Sequence, residues 1–88
     1  MELIFLKRFH KDLDKLKNRK DKDAVIDLIK QLKSSDQLSD ISGIKKLTGF
    51  KNAYRIRLGN YRVGLFAEKD HLELARIAHR KDIYKIFP

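Results

Sequence analysis

Three arginines on one short stretch carry the chemistry this sequence offers. Tyr54, Ile56 and Leu58 alternate with Arg55 and Arg57, and after Gly59-Asn60 the alternation resumes with Tyr61, Val63 and Leu65 set against Arg62, Gly64 and Phe66. Two alternating runs split by Gly-Asn read as a tight hairpin, because glycine takes the positive φ such a turn demands. Folding on that turn sets Leu58 against Tyr61, Arg57 against Arg62, Ile56 against Val63 and Arg55 against Gly64. Side chains alternate between faces, so Arg55, Arg57 and Arg62 share one face and the apolar residues, Tyr54 and Tyr61 among them, share the other. Like charges directly opposite one another destabilise a sheet. Three guanidiniums without an acid among them therefore point to an anionic ligand, and Gly64 leaves a side-chain-sized gap beside Arg55. The planar guanidinium fork donates two parallel hydrogen bonds to a phosphate, so a cluster of them makes a phosphate site without a metal. The competing reading is a solvated face neutralised from elsewhere, with Glu73 on a neighbouring strand as the partner.

His79, Arg80 and Tyr84 follow the last expected strand, where a loop can carry side chains over a sheet face. Histidine changes charge near neutral pH and serves as general acid or base. A tyrosine ring stacks on a base and its hydroxyl donates or accepts. Each also has a plain structural reading, polar surface for the histidine and core cover for the tyrosine.

The elements that must position these groups follow from the hydrophobic period. Glu2–Leu6 reads as a short strand. Phe9, Leu13 and Leu16 recur at helical spacing over about Lys7 to Lys17. Asn18–Asp21 breaks the pattern, and a second helix then carries Ala24, Val25, Leu28, Ile29 and Leu32 on one face. It fades at Ser34-Ser35-Asp36, where short polar side chains compete for the backbone. A loop with short elements, including Ile41, Ile44 and Leu47, leads to Gly49. Past the hairpin a third strand is expected at about His71–Ile77, with a bulge where Leu72 and Leu74 give way to Ala75 and Ile77. The order predicts an α+β fold, two N-terminal helices packed on one face of an antiparallel β-sheet, with the other face partly open.

Bulk properties narrow the partners. Eighty-eight residues make one domain, 1–88, with a thin core. Twenty-one Lys and Arg against 12 Asp and Glu give a net charge of +9, which calls for a polyanionic partner. The run Lys15–Lys22, with Lys17, Arg19, Lys20 and Lys22, reads as a solvated helix end, and His10 and His71 read as surface. No cysteine is present, and no histidine and carboxylate pair has ligand spacing, so no metal and no cofactor is expected. MELIFLKRF lacks the basic region and long apolar core of a signal peptide. A cytoplasmic protein without a membrane partner is the expectation.

Lys46-Leu47-Thr48-Gly49, the run Tyr54-Arg55-Ile56-Arg57-Leu58-Gly59-Asn60-Tyr61-Arg62-Val63, and His79-Arg80-Lys81-Asp82-Ile83-Tyr84 together resemble the RelE/ParE toxin superfamily, over nearly the whole chain and more closely its RelE-like mRNA interferases. The resemblance implies a toxin held inactive by a small antitoxin whose acidic or amphipathic segment wraps it. It implies ribosome-dependent cleavage of mRNA, in which the ribose 2′-hydroxyl attacks the scissile phosphate and a cyclic phosphate results. By the same resemblance Arg62 and Arg80 hold that phosphate, Tyr84 stacks on or orients the nucleotide, and Arg55 and Arg57 position the backbone. Lys45, Lys46 and Lys81 are expected to add RNA contacts. The best-known member carries lysines where this chain has Arg55 and Arg57. Arginine, with a pKa above ~12, is a poor base, so His79 becomes the expected proton acceptor and Tyr84 the second choice. Two rival functions keep the same fold: a ParE-like inhibitor of DNA gyrase, and a nonenzymatic RNA-binding or inactive toxin-like domain.

Overall fold

The computed structural model describes all residues from Met1 to Pro88. In chain order it comprises β1 (Leu3–Phe5), α1 (Lys7–Lys15), α2 (Arg19–Ser34), a 3-10 turn (Leu38–Asp40), β2 (Ile44–Lys46), β3 (Ala53–Leu58), β4 (Tyr61–Ala67), β5 (Leu72–His79) and α3 (Ile83–Ile86). The five strands form one sheet in the order β1-β5-β4-β3-β2.

The apolar stripes read from the sequence are the ones the fold buries. Phe9 and Leu16 of the first helical segment and Val25, Leu28 and Leu32 of α2 pack with Ile56, Val63, Leu65, Leu72, Leu74 and Ile77 on one sheet face. Asn18 caps α2 by accepting the Lys20 N–H at 2.8 Å, which satisfies one of the orphan donors at a helix start. The Ser34 and Ser35 hydroxyls both turn back onto the Gln31 carbonyl where the helix ends.

The hairpin forms in the expected register, with Arg55 opposite Gly64, Ile56 opposite Val63, Arg57 opposite Arg62 and Leu58 opposite Tyr61. Gly59 supplies the positive φ of the turn, at 61°. The bulge expected in the third strand is present: Gly64 pairs with Arg76 but Leu65 pairs with Leu74, so Ala75 is the extra residue. Three features differ from expectation. The meander is antiparallel, but β1 joins it parallel to β5, pairing Leu3 with Leu72 and Phe5 with Leu74. The helical pair between β1 and the meander carries the chain back across the sheet, as parallel neighbours require. The segment read as a loop contains β2, which pairs antiparallel with β3 and sets Lys45 opposite Arg55. The second sheet face is also less open than expected. Ala53, Ala75, Ile83 and Phe87 are buried there, with Leu6, Leu47, Phe66, Ala78 and Ile86 around them.

Phe87 fills the gap left by Gly64. A Cβ on Gly64 would lie 2.5 Å from Cδ2 of the Phe87 ring, and that ring also meets Phe66 at 5.1 Å between centroids. Gly64→Ala is therefore expected to expel Phe87 and destabilise the domain by about 1–3 kcal/mol, the usual range for overpacking. The double variant with Phe87→Ala should lose less than the two single effects added together. Thermal denaturation of the four proteins checks this, and simple additivity would refute the contact.

β1 ends opposite Leu74, and past that point the outer edge of β5 has no strand beside it. Asp12 of α1 takes its place. Its carboxylate accepts the Ile77 N–H at 2.9 Å and the Arg76 guanidinium at 2.8 and 3.2 Å, and Asp12 is buried. The carboxylate also holds the Arg76 pKa above its ordinary value. Sequence reading passed over this pair, although Asp12 sits three residues after Phe9 and four before Leu16, on the stripe that must face the core.

His71 is not simple surface either. Its ring lies between Glu73, 3.0 Å from Nε2, and Asp70, 2.9 Å from Nδ1. The hydrogen bond to Glu73 and then that to Asp70 push the imidazole pKa up, while the same imidazole pulls Asp70 down. A raised histidine pKa stabilises the fold below the unfolded value of roughly 6.5, and that stability is lost as pH rises through the folded value. Melting temperatures of the wild type and His71→Asn should thus differ most below the unfolded histidine value and converge in alkaline solution, above the raised folded value. A difference that grows with pH would contradict the assignment.

Candidate functional site

β2, β3 and β4 bring Lys45, Arg55, Arg57 and Arg62 to one sheet face, where with Gly43 and Ile44 they line a cavity of about 300 Å³. Alternation along each strand puts them there: Lys45 stands across from Arg55 and Arg57 across from Arg62. No carboxylate neutralises them. The ion pairs of the chain are Asp12 with Arg76 and His71 with Asp70 and Glu73. Glu73, the acid that would have made this a neutralised face, is held by His71. Arg62 is fixed rather than mobile, because its Nη1 donates to the Gly59 and Tyr61 carbonyls, both at 2.9 Å. Its remaining N–H groups are left for a ligand.

Tyr84 joins the cluster from the C-terminal end. Ile83 and Phe87 bury into the second face and hold α3 there, which leaves Tyr84 71% exposed with its ring 4.4 Å from the Arg55 Cζ. Such a cation–π contact contributes about 0.5–1 kcal/mol at an exposed site, enough to bias both side chains toward one arrangement. Arg80 lies beside the hairpin turn, its N–H donating to the Asn60 carbonyl at 2.8 Å, and its side chain is exposed.

The structure does not bring every expected residue together. β5 continues to His79, so pairing fixes that residue: His79 stands opposite Tyr61, whereas Ala78 stands opposite Arg62. The histidine thus belongs to the helix-side face, edge-on to the Tyr61 ring at 5.9 Å, and its Nδ1 accepts the Lys81 N–H at 3.2 Å. It is not placed to take a proton among the arginines. Lys46 pairs with Tyr54 and shares its face, away from the cavity, and Lys81 is exposed in the turn after β5.

A second cavity, of about 360 Å³, adjoins the first and shares Lys45 and Arg55 with it; its other walls include Thr48, Phe50, Tyr84 and Phe87. Phe50 was not expected at the site. The signal lay in an aromatic next to Gly49 in a polar turn, where burial is not available to it.

The site is a cationic cleft with an aromatic flank, built on the rigid hairpin of a basic α+β domain, and the same fold is found among RelE-type toxins. A chain of the RelB–RelE antitoxin–toxin complex from Methanococcus jannaschii superimposes with a TM-score of 0.83 at 36% identity, covering 97% of this chain and 99% of that one. A chain of the RelE–RelB complex from Pyrococcus horikoshii shares the fold at 20% identity and a TM-score of 0.74, covering 90% of this chain and 93% of that one. No family model matches the sequence. Over its full length the chain is 39% identical to Toxin RelE3 of Methanocaldococcus jannaschii, all of which it covers. The chain belongs to the RelE toxin family.

Proposed function

We propose that this protein is the toxin of a toxin–antitoxin pair and a ribosome-dependent endoribonuclease that cuts mRNA. The observation that carries this reading is the cavity lined by Lys45, Arg55, Arg57 and Arg62 with no acid among them. The 2′-hydroxyl of a ribose loses its proton to water and attacks the adjacent phosphorus, the P–O5′ bond breaks, O5′ takes a proton from water, and the products are a 2′,3′-cyclic phosphate and a 5′-hydroxyl end. Negative charge grows on the phosphoryl oxygens along this path. Guanidiniums fixed before substrate arrives stabilise that charge without reorganising. Arg62 and Arg80 hold the scissile phosphate, Arg55, Arg57 and Lys45 position the backbone, and Tyr84 stacks on the nucleotide. In this reading the side chains supply all the positive charge, and no metal is called for. Arginines are poor bases, so the nuclease relies on charge stabilisation and on the ribosome to align the attacking hydroxyl. His79, on the other face, takes no part.

A small antitoxin with an acidic or amphipathic segment is the fitting protein partner, since an open face of four cations attracts such a segment. The two archaeal chains of known structure described above come from antitoxin–toxin complexes. No helix is long and apolar enough to cross a membrane.

The test is to induce the protein in cells and map RNA ends, then to repeat cleavage with purified translating ribosomes. Cuts in translated mRNA with cyclic phosphate ends are expected, lost with Arg80→Ala and kept with His79→Ala. Intact mRNA accompanied by DNA damage would replace this reading with gyrase inhibition.

A further inference from the structure

Four large apolar side chains stand well out into solvent, Ile4, Ile26, Phe50 and Tyr84. Two of them, Phe50 and Tyr84, are walls of the same cavity. That cavity continues from the cationic one through Arg55 and Lys45, which belong to both. Phe50 is 48% exposed and lies in neither buried cluster. It is presented by a tight turn in which Gly49 has φ +87° and the Phe50 N–H donates to the Leu47 carbonyl at 3.4 Å. The phenyl ring therefore adds nothing to either buried cluster.

We infer that Phe50 and Tyr84 form the two aromatic walls of a nucleobase subsite, so that the domain grips an unpaired nucleotide by phosphate and base at once. The inference rests on the RNA-binding reading above and adds the residue that receives the base. Flat aromatic rings beside a phosphate groove are the usual means of holding single-stranded RNA, because every base offers a π-face. The volume, about 360 Å³, lies within the roughly 300–1,000 Å³ of small-molecule sites. Arg55 presents its cation to the Tyr84 ring and its charge to both cavities, which ties base stacking to phosphate binding. The Thr48 hydroxyl on the rim is a donor and acceptor for a base edge.

The experiment measures binding of adenosine 5′-monophosphate and of ribose 5-phosphate, which lacks the base, to the intact free toxin by calorimetry or NMR titration. The nucleotide should bind roughly tenfold tighter or better. Phe50→Ala should erase that difference while leaving ribose 5-phosphate affinity unchanged, and Phe50→Tyr should keep it. Equal or undetectable binding of the two probes by the wild type overturns the subsite, as does a preference that survives Phe50→Ala. Loss of antitoxin affinity in Phe50→Ala with the nucleotide preference intact also overturns it, and assigns the aromatic flank to the protein partner. A Phe50-dependent preference in a protein that cuts no mRNA would leave the subsite standing and remove the nuclease. Cleavage with a Phe50-independent preference would do the reverse.

Discussion

Arg62→Ala should lower single-turnover cleavage of ribosome-bound mRNA by about 10²–10³-fold, the usual cost of removing one preorganised donor from a developing oxyanion. The size follows from how the guanidinium is held. Two backbone carbonyls of its own hairpin, those of Gly59 and Tyr61, anchor Nη1, so the side chain spends little entropy in meeting phosphate. Arg62→Lys keeps the charge but loses both the anchor and the fork, and it should fall between the wild type and the alanine variant. Folding is expected to survive, since Arg62 contributes to neither apolar cluster and sits directly opposite Arg57, whose repulsion the substitution relieves. Far-ultraviolet circular dichroism and melting temperature check the fold beside the cleavage assay. An alanine variant as active as the wild type would remove the cationic cavity from the mechanism.

Asp12→Ala should cost as much stability as truncating a large core side chain. It strips two partners at once: Arg76 loses its counter-ion, and the Ile77 N–H loses its acceptor in a buried position. Breaking a buried ion pair costs about 3–5 kcal/mol, and Arg76 keeps some solvent access, so about 3 kcal/mol is expected. Domains of this size have only about 5–10 kcal/mol in total. The melting temperature should fall by on the order of 10–25 °C. Asp12→Asn, which still offers an oxygen to Ile77, should lose less. A shift of only a few degrees in the alanine variant would show that water replaces the carboxylate along the β5 edge.

The hairpin was fully legible in the sequence because its signals are local. A Gly-Asn turn fixes the register, and a period of two fixes the faces, so the sequence alone groups Arg55, Arg57 and Arg62. The helices were legible for the same reason, through Phe9, Leu13 and Leu16 and through Val25, Leu28 and Leu32. What was hidden depends on contacts distant in the chain. Nothing in Leu3–Phe5 says that it lies parallel to β5. Ile44–Lys46 is too short to show alternation, yet it delivers Lys45 to the cavity. The sequence places His79 just past the last expected strand, but β5 runs two residues further, and strand pairing then decides which way the ring points. Phe87 over Gly64 was half visible: the sequence shows the missing side chain but not the ring that fills its place.

The pairing of Leu3 with Leu72 has a consequence for synthesis. The first strand waits, unpaired, while the two helices and the hairpin emerge, because its only sheet neighbour is the last strand made. Until then α3 has no floor to sit on, and Tyr84 cannot meet Arg55. The five-stranded sheet is therefore completed in a single late step. Pulling-force measurements on stalled nascent chains should show that step only after β5 has cleared the exit tunnel.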